Sequence, residues 1–408
     1  MTVDDRQDLE QILAEAEQIQ GVSLWQDAWR RLRRNRLASA SMVALIGLAL
    51  AAFLTPLIPL QSPIDKDLNH RQFMPPSVQP AVMGSRTELQ FEQNRLTAEL
   101  AKHAALVASL TAESVETEDT DRRAEIASRL KQLRRVGHPF NQLWNDLDPV
   151  AWSMCRARVA IFGDYAVPSI FGCDQLGRDV LSRIMWGARV SLTVGLVATL
   201  VSLLIGVSYG AIAGYFGGWV DATMMRVVDT LYSVPFIFVV IFLMTFLGED
   251  SVKARLESLG VDQLTIFYLI IGAIYWLTMS RVVRGQVLSL RHEPFVEAAR
   301  TIGASPARIV FRHLVPNVLG VVIVYLTLTI PAVMLFEAFL SFLGLGVSPP
   351  DVSWGLLLKD GVDALSSVKL FWWMVVFPGA ALALTLFALN FLGDGLRDAL
   401  DPKMKNRD

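Results

Sequence analysis

The chain contains no Gly-Lys pair in its 408 residues. A phosphate-binding loop of the form G-x-x-x-x-G-K-[ST] is therefore excluded, and P-loop ATP hydrolysis on this chain with it. H-E-x-x-H is missing too, which removes the zinc-protease helix. Five histidines, His70, His103, His138, His292 and His313, are scattered. Catalysis needs oriented partners, so no catalytic residue is expected. The only cysteines, Cys155 and Cys173, form no C-x-x-C pair, and no metal site is expected. The formal net charge is −2, and no basic face with interleaved aromatics points to nucleic acid. No cleavable signal peptide is evident. The first apolar run starts near Leu37, after a long charged stretch, and is long enough to span as a retained anchor.

What the chain does have is apolar residues gathered into long runs, with a mean hydropathy of +0.41. Runs of about 18 or more apolar residues read as spanning helices. Six are expected: Leu37 to Ile58, Val190 to Ala213, Val227 to Leu247, Leu264 to Thr278, Val315 to Phe336 and Leu370 to Leu392. Arginines crowd before the first run, between the fourth and fifth, and after the sixth. The positive-inside rule then places both termini and the 281–315 loop in the cytoplasm. The long stretch from about 60 to 187 falls outside.

Trp25, Ala28, Trp29 and Leu32 recur at helical spacing, with arginines on and beyond the other face. Such a helix can lie in the membrane interface; packing on protein is the other reading. In the outer stretch, residues 86–136 are rich in mixed charge. Leu89, Leu96 and Leu110 share one heptad position, and Leu100 and Val107 the partner position. A break near 116–121 precedes Ile126, Leu130 and Leu133. The pattern predicts a helical hairpin, with a solvated spacer as the alternative.

The loop before the fifth run reads Glu297-Ala298-Ala299-Arg300-Thr301-Ile302-Gly303-Ala304-Ser305-Pro306, and continues to Val315-Pro316-Asn317. An acid followed by alanines favours a helix start. Gly303 can end that helix at positive φ. Ser305 and Pro306 suit the cap and first turn of a second helix. Small residues at Ala298, Ala299 and Ala304 allow close approach of a partner surface. Glu337 sits near the outer end of the fifth run, where an acid is costly unless paired or wet. It is a candidate for lining a translocation path or for an interfacial acid. Pro235 and Pro331 lie inside runs, where they bend helices, and are further path candidates. Pro378 does the same in the sixth run. Arg226 and Asp229 are expected to pair on one helix face.

The spacing Glu297-Ala298-Ala299, then Gly303, then Val315-Pro316 resembles the EAA loop of ABC importer permeases. Gly172 to Arg183 with Gly187 to Leu192, Ala213 to Asp221, Leu340 to Gly346 and Leu392 to Pro402 resemble signatures of the dipeptide, oligopeptide and nickel permeases, most closely their C-type subunit. The resemblance covers residues 23–60 and 168–402. It implies an all-α polytopic type I importer permease with six transmembrane helices and an outer helical-hairpin insert between the first two. It also implies that Glu297, Ala298, Ala299, Gly303, Ala304, Pro306 and Pro316 couple to a separate ATPase. Further implications are a second homologous permease as heterodimer partner, two ABC ATPase subunits that bind the ATP and magnesium, and an external solute-binding protein. The location would be a bacterial inner membrane.

The expected division is 1–36 cytoplasmic, 37–59 first span, 60–187 outer insert, 188–395 permease core and 396–408 cytoplasmic tail. The insert at about 75–165 exceeds the usual connection, and Cys173 stands where the family pattern has threonine. Both cysteines fall on the expected outer side, where disulfides persist, so a Cys155–Cys173 bridge is expected, with two buried thiols as the alternative. A peptide importer is the leading function. A nickel or peptide-antibiotic importer, or a membrane-anchored scaffold using the outer hairpin, are the alternatives.

Overall fold

A computed structural model describes residues 24–64, 66–69, 71–77, 101–115, 117, 119–135, 147–162, 165–247, 249, 252, 263–347, 349, 351–365 and 369–400. Among these residues the secondary structure is helical, apart from an isolated bridge between Cys173 and Asp179. Helices α1 (Leu24–Arg34) and α2 (Arg36–Leu54) meet at Asn35. The Asn35 side chain accepts a hydrogen bond from the Ala38 amide at 3.2 Å and so caps α2. Ala28 and Leu32 of α1 are buried against Leu396 and Leu400, so that face packs on protein, whereas Trp29 is exposed. The expected shared face is therefore split.

In the outer insert, α3 (101–115) and α4 (Thr120–Arg135) follow one another across a short break. Glu113 accepts from Arg122 at 2.9 Å and ties them together. Leu110 and Ile126 are buried. The heptad positions Leu89, Leu96 and Leu100 lie outside the described residues. Helix α5 (Pro149–Phe162) was not legible as a separate element. Asp148 caps it by accepting from the Ala151 amide at 2.8 Å, and also meets Arg189 at 3.2 Å.

Among the described residues five helices are long and apolar enough to cross a membrane: α2, α6 (Val180–Phe216), α9 (Gln263–Leu290), α11 (Pro306–Phe342) and α13 (Trp373–Leu400). The sixth crossing bends at Pro235, as a proline inside a run predicts. Residues 227–247 are not one straight helix, because α7 (Gly218–Ser233) and α8 (Phe236–Leu247) are bent by 77° where Pro235 intervenes. The residue before a proline is pushed out of helical conformation, and Val234 is extended at φ −85°, ψ 122°. Two short helices complete the bundle, α10 (Pro294–Thr301) before α11 and α12 (Trp354–Asp363) before α13.

Helices α6 and α9 pack along a seam of Gly206, Gly210 and Gly214. A Cβ at Gly210 would lie 2.3 Å from the Ser280 carbonyl oxygen, and one at Gly214 2.9 Å from that of Arg284. Small residues four apart let two spans approach this closely. With the bent pair counted as one crossing, α1, α10 and the end of α13 fall on one side, called the inner end after the arginine bias of the sequence. The loop 165–179 and α12 fall on the other, the outer end.

Candidate coupling site

Helix α10 begins at Pro294, three residues before Glu297, and proline suits a first turn because its missing N–H is not needed there. Glu297 stays within the first turn, where the helix dipole favours an acid. Val296 and Ala299 are buried with Val207, Val283, Val287 and Ile309, which roots α10 on α6, α9 and α11. Glu297 and Ala298 face outward.

The helix ends as the sequence predicts. Gly303 has φ 82°. Its amide donates to the Arg300 carbonyl at 2.9 Å, and the Ala304 amide donates to Ala299 at 3.0 Å. This pair of bonds satisfies the last carbonyls of a helix and needs a left-handed residue. A Cβ at Gly303 would meet nothing within 4 Å, so the constraint is conformation and not space. The Ser305 hydroxyl then accepts from the Arg308 amide at 3.4 Å, and Pro306 opens α11.

A π-helical turn at Ile309–Leu314 was not expected. It precedes Pro316, which cannot donate to a preceding carbonyl. The Asn317 side-chain amide donates to the His313 carbonyl at 2.6 Å.

Three exposed apolar residues border α10: Phe295, Phe311 and Ile302, the last 84% exposed. The motif spacing does not single them out. Behind them, the Arg300 guanidinium lies 5.2 Å from the centre of the Tyr215 ring, which ties α10 to the end of α6. Arg284 grips Asp221 with two bonds of 2.5 and 2.7 Å and joins α9 to α7. Asp229 accepts from Arg281 at 2.6 Å, so the expected pairing with Arg226 is replaced by one between helices.

The path candidates separate. Glu337 is 0% exposed. It faces neither a wet cavity nor outer water, because serines enclose it. Its Oε1 accepts from Ser341 at 2.7 Å and its Oε2 from Ser191 at 3.2 Å. The Ser341 oxygen in turn accepts the Val347 amide at 3.1 Å, and the Ser191 oxygen accepts the Trp354 amide at 3.3 Å. Accepting there aims each single hydroxyl proton at the carboxylate. Pro331 is buried inside α11. Pro235 is exposed at the α7–α8 bend. On α7 an open groove of about 560 Å³ is lined by Trp219, Thr223, Arg226 and Thr230 among others.

The outer end also holds a buried ion cluster that the motif alone does not reveal. Asp174 accepts from Arg178 at 2.7 Å and from Arg183 at 2.6 Å. Asp360 of α12 meets the same two arginines at 3.5 and 3.1 Å. Asp179 caps α6 through the Ser182 amide at 2.7 Å, and burial pushes its carboxyl up to about 6.

The expected Cys155–Cys173 bridge is not formed; both are free, buried thiols. Each is held by its own element. Cys155 lies within α5, where burial pushes its thiol up to about 12. Cys173 lies in the outer loop with its Sγ 3.4 Å from the Ser169 hydroxyl, while its carbonyl accepts from the Trp373 indole at 3.1 Å.

Comparison with known proteins bears on the whole arrangement. Residues 206–406 match the family of binding-protein-dependent transport system inner membrane components. Residues 23–76 match the N-terminal transmembrane domain of oligopeptide transport permease C. The oligopeptide transport system permease protein OppC of Escherichia coli is 36% identical over 95% of this chain and 93% of its own length. The dipeptide transport system permease protein DppC of Bacillus subtilis is 45% identical over 58% of this chain and 69% of its own. A solved chain of the MetNI methionine ABC transporter superposes with a TM-score of 0.40 at 18% identity, covering 54% of this chain and 96% of that one. With most of its length matched at this identity, the chain belongs to the family of inner-membrane permease components of binding-protein-dependent ABC importers.

Proposed function

We propose that this chain is one of two different permease subunits of a peptide importer, and that α10 seats in a separate ATPase. The observation that carries this reading is a rooted helix with an open outer side. Val296 and Ala299 fix α10 to three spans, while Glu297, Ala298, Phe295 and Ile302 are left exposed. The chain lacks a phosphate-binding loop, so ATP and magnesium belong to the partner, in two ATPase copies. Arginine bias supports a cytoplasmic α10 and cytoplasmic termini. Peptide is favoured as the solute by the relatives' names, which specify dipeptides and oligopeptides.

The α7 groove supports the heterodimer. Its lining residues all lie on α7, so a second permease would supply the facing wall of a shared path. An external binding protein would deliver solute to the outer end. The core at 188–395, the coupling loop at 281–315, the insert at 60–187 and the segments 1–36 and 396–408 remain the working division. The test is uptake: deletion of the gene should abolish import of labelled peptide under conditions where the system is expressed. Unchanged import would overturn the peptide assignment, whereas ATPases still co-purifying with the tagged chain would leave the permease role standing.

A further inference from the structure

The outward face of α1 has no role in the reading above. Burial of Ala28 and Leu32 against α13 fixes the rotation of α1 about its axis. At about 100° per residue, Trp29, Arg33, Arg30 and Arg34 then fall on one arc of about 140° opposite those contacts. All four side chains are exposed, Trp29 by 47%. The Arg33 guanidinium lies 5.3 Å from the centre of the Trp29 ring, which holds the two as a unit. Arg36, also exposed, begins α2 just past the elbow. Arg31 points nearer the protein and has contacts of its own. No Asp or Glu occurs from residue 28 to residue 64; the nearest exposed acids on the packed end of α13 are Asp394 and Asp398.

What lies beside this face follows from α2. Leu37, Val43, Ile46, Leu50 and Phe53 are exposed along it, so acyl chains are its natural surroundings. Headgroups then sit where α2 begins, at the level of the arginines. Indole rings favour that level, and each arginine near an anionic surface strengthens attachment. We propose that the Trp29–Arg30–Arg33–Arg34–Arg36 face of this chain binds anionic phospholipid headgroups and fixes α1, and through it the end of α13, to the membrane surface.

The test reconstitutes the full chain with its partner subunits in phosphatidylcholine vesicles. These carry a minority of either brominated phosphatidylglycerol or brominated phosphatidylcholine. The fluorescence difference between wild type and Trp29→Phe isolates the quenching of Trp29. Phosphatidylglycerol should quench Trp29 more strongly, and the preference should shrink as salt is raised. Arg30→Gln/Arg33→Gln, which keeps Arg31, Arg34 and Arg36 for insertion, should lower the relative association constant about fivefold per arginine removed. Arg30→Lys/Arg33→Lys should retain it. Equal quenching by the two lipids, or an unchanged preference in the Gln variant, would overturn the proposal. So would quenching by both lipids that appears only when the ATPases are left out, because the face would then be a protein interface.

Discussion

The two ends of the bundle are built on opposite principles. At the outer end, charge is buried and neutralised: Asp174 and Asp360 share Arg178 and Arg183, and Glu337 is enclosed by serines. At the inner end, Arg281 and Arg300 lie partly in the open against tyrosine rings, and apolar Ile302 is presented to solvent. One end is closed upon itself. The other presents cationic and apolar groups at its surface, which suits the proposed docking of a partner.

The sharpest break in that contrast comes from Gly303→Pro. Proline cannot reach φ 82°, so α10 should lose its termination. Transport should be abolished and ATPase co-purification weakened while membrane insertion persists. Transport at the wild-type rate would remove the role given to this turn. Asp174→Ala should act at the outer end by stability instead. It leaves two buried guanidiniums short of a counter-charge, at a cost of about 3–5 kcal/mol, read as lost protease resistance or a lowered unfolding midpoint. A small shift would show the cluster to be wet.

Glu337→Ala should cost about 1–3 kcal/mol for each hydroxyl left without an acceptor, and Glu337→Gln less, since one amide oxygen remains. If Ala and Gln variants unfold alike, the serine cage does not depend on its carboxylate.

The smallest effect concerns pH. Asp179 titrates near 6 when folded, above its usual 3.8. Between those values the folded protein holds a proton that the unfolded chain has released, so stability falls as pH climbs from about 4 to about 6. Asp179→Asn keeps the cap and should flatten that decline, recovering up to about 3 kcal/mol at neutral pH. Parallel pH profiles for the two proteins would contradict the sign.

The inner end was the more legible of the two. Gly303, Ser305 and Pro306 act on neighbours a few residues away, so local chemistry is enough to read the turn. Spans were legible by hydropathy, and a bend was legible from Pro235, but its size of 77° was not, because a proline marks where a helix breaks without fixing how the two halves then pack. Glu337 was misjudged for a different reason. The groups that enclose it come from residues 191, 341 and 353, and the amides behind the first two from 354 and 347. Asp360 likewise lies 177 residues from Arg183. Pairings over such separations leave no periodic trace in the sequence. The cysteines invited a bridge by number and side alone, and geometry refused it.

The glycine seam of α6 has a mechanical consequence. An α-helix of 37 residues is about 55 Å long, well beyond a hydrocarbon layer of about 30 Å. Pressed against Met279, Val287 and the α9 backbone at its glycines, it can hardly slide or bow independently. The pair is a lever arm. On the proposed coupling, a partner's push where Tyr215 meets Arg300 would be delivered along α6 toward Ser191 and Arg183.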